Sequence, residues 1–348
     1  GRGKSQIHRH RMVVQRIHGS LCALLLAAFL VPIPAGAQPD QTPQASETQT
    51  ASVDTAVGPP ADEAVIAGSA STAAATAPAP IAGFVDGLVA GYMTRSGIAG
   101  VTVAVVDRDH DLFVRGYGDA SLSPARKVDA ADTLFRLASI SKTFTYVAAM
   151  QLAEAGKLDL DAEANRYLPA ALQLQNVGYP PVRVRDLMTH SAGFEDSALG
   201  HLFVRNPAQV LPLANYLARY RPHRVRPTGV HADYSNYGAA LLGEIVAHVS
   251  GAPFETYVKH HLLEPLQMHH TTFREPLAAG DPRGATPALA AAFSTGFAHE
   301  NGGFTTKPFS FAGQLAPAGA ASSSATDMSR WMRMLLNQGT LDGASIFS

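Results

Sequence analysis

A break in composition near residue 80 constrains most strongly how this chain can fold. From Gln38 to Pro80 it is rich in Ala, Thr, Ser, Pro and Gln and contains no aromatic residue. Such a stretch buries too little apolar surface to offset the entropy of ordering it, so residues 38–80 are expected to form a disordered linker. Every aromatic residue except Phe29 lies in residues 81–348, which are expected to form one folded domain.

Ahead of the linker, the charged residues before Ala37 are all basic, and Leu21 to Val31 is a short apolar run closed by Pro32 and Pro34. Ala35-Gly36-Ala37 follows with small residues, so residues 1–37 read as a secretory signal peptide cleaved before Gln38. The expected location is therefore outside the cytoplasm, periplasmic or secreted. Cys22, the sole cysteine, sits inside that leader. A mature chain without thiols excludes disulfides, cysteine nucleophiles and cysteine-based zinc sites. Lys and Arg total 27 against 28 Asp and Glu, and no aromatic-basic stripe is present, so no nucleic-acid partner is expected. No run after the leader is apolar enough to cross a bilayer.

Within the domain, Ile81 to Arg95 has helical spacing, with Phe84, Leu88 and Tyr92 on one face. Residues 100–106 and 112–117 read as a β-hairpin about a polar turn at 107–111. Helices are expected over 139–155, closed by Gly156, and over 184–190. Asn206-Pro207 offers a cap and first-turn proline for a helix to about Tyr220. Further helices are expected over 237–249, from Ala252-Pro253 through Leu262, and over 328–336 behind a Thr326-Asp327 cap. Gly302-Gly303 reads as a turn in an irregular stretch.

The chemistry concentrates at Ser139-Ile140-Ser141-Lys142 and Tyr234-Ser235-Asn236. On a helix, positions i and i+3 share a face, so the Lys142 amine can approach the Ser139 hydroxyl. A serine is a poor nucleophile without a neighbouring base. In the first helical turn, the aligned amides also favour the negative charge that acyl transfer develops. A tyrosine brought alongside can pass the proton between serine and leaving group, and the Asn236 amide can bond a substrate carbonyl or Lys142. G-x-S-x-G and H-E-x-x-H are both absent. His260-His261 and His269-His270 have no H-E-x-x-H pattern and no acidic cluster beside them and read as surface histidines, so neither a metal nor an organic cofactor is expected.

In this order the blocks resemble the β-lactamase-related serine hydrolases: class C β-lactamases, D-Ala-D-Ala carboxypeptidases, D-aminopeptidases and bacterial esterases of that fold. The likeness is carried by residues 134–144 around Ser139 and by 184–194, which include His190-Ser191-Ala192-Gly193. Tyr234-Ser235-Asn236-Tyr237-Gly238, residues 242–246, residues 263–268, Pro317-Ala318-Gly319 and residues 324–328 extend it.

The resemblance implies an α+β, transpeptidase-like fold: an antiparallel sheet flanked by helices, plus an all-helical region, with the site between them. It implies Ser139 as the acylated nucleophile, Lys142 as its partner, Tyr234 as general acid/base and Asn236 as a substrate contact. His190 and the turn after it are expected to support the site. The expected activity is cleavage of an amide, β-lactam or ester bond in a small-molecule or peptidoglycan-like substrate. A non-catalytic ligand binder or regulator on the same fold is the alternative. A Lys-Thr-Gly or His-x-Gly strand, which supplies a second oxyanion amide in such proteins, is absent. The sequence is thus expected to stop short of that strand, leaving this polypeptide nearly inactive by itself.

Overall fold

The computed structural model describes residues 79–348, apart from 176, 196–199 and 279. The expected signal peptide, and the linker up to residue 78, lie outside the described residues. Helix α1 (Ala79–Ser96) begins two residues inside the expected linker. Its buried stripe is not the expected one. Val85 and Val89 are buried, whereas Phe84 is 70% exposed and Tyr92 54%. Positions 81, 85 and 89 form a second apolar stripe at helical spacing beside 84, 88 and 92, and periodicity alone cannot choose between them. Packing decides: Val85 and Val89 meet Phe113, Val101, Val103, Val105 and Tyr117 on one face of a sheet.

That sheet is antiparallel in the order β1 (Gly100–Val106), β2 (Asp111–Leu122), β3 (Ala125–Lys127). The expected hairpin is present, with β2 running five residues beyond the expected Tyr117. The next strand, β4 (Phe135–Arg136), leads into a 3-10 turn, Ala138–Ile140, and then into α2 (Ser141–Glu154). Ser139 therefore lies in the turn before the α-helix and not in its first turn. Gly156, at φ +70°, follows the helix end as expected.

Helix α3 (Val184–Met188) is short. The helix expected over 206–220 is interrupted: a 3-10 turn at Pro207–Gln209 is followed by α4 (Leu213–Arg219). Pro212, which lacks an N–H and has φ −54° and ψ 145°, occupies the N-cap of α4 and separates the two pieces. Helix α5 (Asn236–Ser250) is capped by the Ser235 hydroxyl, which accepts the Gly238 amide at 3.0 Å, and ends on left-handed Gly251. Helix α6 (Phe254–Val258) continues into a π-turn at Lys259–Leu263. Strand β5 (Thr271–Thr272) and helix α7 (Pro287–Ala292) precede β6 (Gly296–Glu300) and β7 (Gly303–Lys307). These last two strands pair as a hairpin about Asn301-Gly302, so the stretch read as irregular is regular strand on both sides.

Helix α8 (Ala316–Gly319) runs into β8 (Ser322–Ser323), which lies between β4 and β5 in a small antiparallel sheet. Helix α9 (Ala325–Leu336) packs on β1 and β2. Its cap is Ser324, whose hydroxyl accepts the Asp327 amide at 3.1 Å, and not the expected Thr326-Asp327. The short pair β9 (Thr340–Leu341) and β10 (Ala344–Ser345) follows. No helix among the described residues is long and apolar enough to cross a membrane.

The helical core forms around α2 and α5. Phe144 of α2 stacks on Trp331 of α9 at 3.9 Å between ring centroids and meets Phe273 edge-on. Such aromatic pairs contribute about 0.5–1.5 kcal/mol beyond their buried area. Gly243 of α5 is what lets α8 approach: a Cβ there would lie 2.2 Å from Pro317 Cγ. This close approach sets the carbonyl of the next residue, Ala318, beside α2.

Candidate active site

The segment Leu137–Ser141 is held against α8 and β8 by paired bonds. The Leu137 amide donates to the Ala321 carbonyl at 2.8 Å, and the Ala321 amide donates to Ser141 Oγ at 3.0 Å. Ser141 Oγ in turn donates to the Ala138 carbonyl. Ala138 has φ +48°, a left-handed conformation that costs a non-glycine residue on the order of 1 kcal/mol or more. This held kink turns the chain between strand β4 and helix α2, and it leaves the Ser139 side chain exposed.

Three side chains meet at Ser139. Its Oγ lies 2.5 Å from Tyr234 Oη and 3.1 Å from Lys142 Nζ. Lys142, only 2% exposed, also donates to Asn236 Oδ1 at 2.9 Å and to the Ala318 carbonyl at 2.7 Å. An ammonium has three hydrogens, and these three acceptors match them. A buried cation with this complement of acceptors avoids the cost of an unpaired one. Ser139 Oγ, which accepts from Lys142, also shares a hydrogen bond with Tyr234 Oη in which either hydroxyl can donate. Lys142 Nζ also lies 4.7 Å from the centre of the Tyr234 ring, close enough for a cation–π contact. The bond from Lys142 fixes the Asn236 amide with its oxygen inward and its NH₂ turned away from the lysine.

All four residues singled out in the sequence are thus brought together, from the 3-10 turn (Ser139), α2 (Lys142), the loop before α5 (Tyr234) and the first turn of α5 (Asn236). The Ala318 carbonyl had no signal of its own, being backbone, although Pro317-Ala318-Gly319 stood out as a block. Ser141 also went unread; its role depends on a partner 180 residues away.

His190 lies behind the cluster, buried, its ring 4.7 Å from that of Tyr234. Its Nδ1 accepts the Ser235 amide at 3.2 Å. An amide only donates, so the ring proton sits on Nε2, 3.2 Å from Tyr146 Oη. Burial, with the Lys142 charge second, pushes His190 down from its ordinary 6.5 to about 4. Facing it are Tyr146 and Lys142 of α2 and Tyr234. Between pH 6.5 and about 4 the unfolded chain binds a proton that folded His190 refuses. Stability from this group is therefore present above pH 6.5 and falls as pH drops through that window, by on the order of 3 kcal/mol. Urea melts at pH 7.5 and 4.5 should show a larger drop for the native chain than for His190→Asn. Equal drops would contradict the assignment.

Among the described residues, the metal-capable side chains that cluster in threes are Asp107, Asp109 and His110, in the exposed β1–β2 turn. There the Asp107 carboxylate already accepts the amides of Asp109 and His110. His260 is paired with Glu264 at 2.7 Å and His270 with Asp132 at 3.4 Å.

A sheet flanked by helices, a helical region around α2 and α5, and a reactive cluster at the start of α2 make up the β-lactamase/transpeptidase-like fold. The Beta-lactamase family matches residues 85–347, and the chain belongs to that family. A beta-lactamase of Yersinia enterocolitica is 30% identical over 199 residues, covering 56% of this chain and 48% of that protein. Protein flp of Staphylococcus aureus is 26% identical over 192 residues, covering 55% of this chain and 38% of its own length. The chain thus spans half or less of these relatives. A class C beta-lactamase solved in complex with cefoxitin superimposes with a TM-score of 0.61 at 26% identity, over 77% of this chain and 68% of that one.

Proposed function

We propose that the protein is an exported serine hydrolase that cleaves an amide, β-lactam or ester bond through an acyl-enzyme on Ser139. The convergence of Ser139 Oγ, Tyr234 Oη and Lys142 Nζ carries this reading. Tyr234, as the phenolate beside the Lys142 ammonium, takes the Ser139 proton while Oγ attacks the substrate carbonyl carbon. The tetrahedral oxyanion collapses, the bond to the leaving group breaks, and the leaving group takes the proton back from Tyr234. Water then gives its proton to Tyr234 and attacks the acyl carbon; the second tetrahedral intermediate collapses, the bond to Oγ breaks, and Ser139 Oγ takes the proton back from Tyr234. The outward NH₂ of Asn236 is placed to donate to a substrate carbonyl, and the position of Ser139 ahead of α2 favours the developing negative charge. The cefoxitin-bound relative supports a β-lactam as one substrate class.

Incubation with a fluorophosphonate or a fluorescent penicillin, followed by peptide mass spectrometry, tests the proposal. A covalent adduct on the peptide bearing Ser139 is expected. Reversible binding without an adduct would instead mark a ligand sensor. Tyr234→Phe keeps the ring against His190 and Lys142 but removes Oη. It is expected to lower kcat for a p-nitrophenyl ester by roughly 100- to 1,000-fold with little change in KM. A kcat close to native would remove the phenol from the proton path.

A further inference from the structure

His190 holds more of the site than a supporting turn requires. Its backbone carbonyl accepts the Asp233 amide at 2.7 Å, and its Nδ1 accepts the Ser235 amide at 3.2 Å. These two amides flank Tyr234 in the chain. From the other side of the ring, Nε2 donates to Tyr146 Oη at 3.2 Å. Tyr146 lies one helical turn beyond Lys142, on the same face of α2. One residue thus ties the backbone on both sides of the phenol to the helix that carries the lysine. His190 also sits at φ +56°, a left-handed conformation rarely kept by a side-chain-bearing residue unless its surroundings enforce it. The neighbouring residues continue the register: the Gly229 amide donates to the Ser191 carbonyl, and the Val225 amide to that of Gly193.

We propose that His190 is a positioning residue, which holds Tyr234 Oη in line with Ser139 by gripping the amides before and after it; this deepens, and rests on, the acyl-transfer reading above. Tyr234 is 44% exposed, and the His190 backbone grip and imidazole face hold it from the side away from Ser139 and Lys142. The group does not touch substrate; it acts through the phenol. A misplacement on the order of 1 Å at a reacting atom costs roughly 100-fold in rate, which sets the size of the expected effect.

The test compares His190→Asn with His190→Gly in the full chain. Both residues tolerate the left-handed backbone, so strain is matched, and only asparagine keeps an acceptor close to the Nδ1 position. His190→Gly should lower kcat for p-nitrophenyl ester hydrolysis by roughly 100-fold, while KM stays within about threefold. His190→Asn should recover most of that loss. Thermal melts confirm that each variant is folded. If glycine unfolds the chain, His190→Gln takes its place: it reaches Tyr146 but leaves the Ser235 amide without a partner, and it should fall as glycine does. A labelled native protein whose glycine or glutamine variant turns over at the native rate overturns the clamp alone. So does an asparagine variant, folded, that is as slow as the others. A native protein that is never labelled overturns the acyl-transfer reading and this one with it.

Discussion

Ser139→Ala is expected to abolish covalent capture of fluorophosphonate and penicillin probes and to lower ester turnover by on the order of 10⁴-fold or more. No other hydroxyl in the cluster can replace it. Ser141 Oγ is fully buried and already spent between the Ala138 carbonyl and the Ala321 amide. The Tyr234 phenol is within reach, but in the proposed mechanism it is the proton acceptor. The substitution removes only an exposed oxygen, so the fold should be retained. Lys142 keeps Asn236 and Ala318 as acceptors. Intact-mass spectrometry and a thermal melt check both halves of the expectation. A stoichiometric adduct on the alanine variant would place the nucleophile elsewhere and end this reading of the site.

The second large effect is at Lys142. Lys142→Met keeps the length and most of the apolar stem but deletes the charge. In the proposed mechanism the Tyr234 phenolate loses its counter-ion 4.7 Å from the ring, and Ser139 Oγ loses a hydrogen-bond donor. A turnover loss of roughly 1,000-fold or more is expected, within the range for losing proton-transfer function at a reacting group. Stability should move far less. The Ala318 carbonyl and Asn236 Oδ1 lose a donor, which costs about 1–3 kcal/mol for each group left unsatisfied. Against this, the folded state no longer carries a buried cation, whose desolvation alone costs several kcal/mol. The two terms oppose each other at similar size, so activity collapses while the melting temperature changes little. A methionine variant that keeps more than a tenth of native turnover would show that Lys142 is only a packing residue.

Much of the site was visible in the chain because its first half is local. Ser139 and Lys142 lie three residues apart, and helical spacing points the amine toward the hydroxyl although Ser139 sits in the 3-10 turn ahead of α2. Tyr234 and Asn236 stood out only as part of an ordered set of motif blocks, since nothing local links residue 234 to residue 139. The elements were read well where a local signal was strong, as at Gly156 and Gly251. They were misread where two local signals competed. Helix α1 offered two adjacent apolar stripes, and the sheet chose Val85 and Val89. A cap and first-turn proline at 206–207 announced a helix that Pro212 then divided. At 324–327 three residues of cap-forming type stand together, and Ser324 takes the role because its hydroxyl reaches the Asp327 amide.

Local order along the chain determined that a hydroxyl and an amine would share one side of a helix start, because backbone geometry sets that spacing whatever surrounds it. Tertiary structure decided everything that depends on contact across distance. It brought the phenol to the hydroxyl over 95 residues, seated the Ala318 carbonyl under the ammonium through the glycine contact at 243, and closed His190 on the amides beside Tyr234. The reason is physical: a buried charge and a poised proton each need several partners at hydrogen-bond distance, and those partners come from segments that only folding brings together.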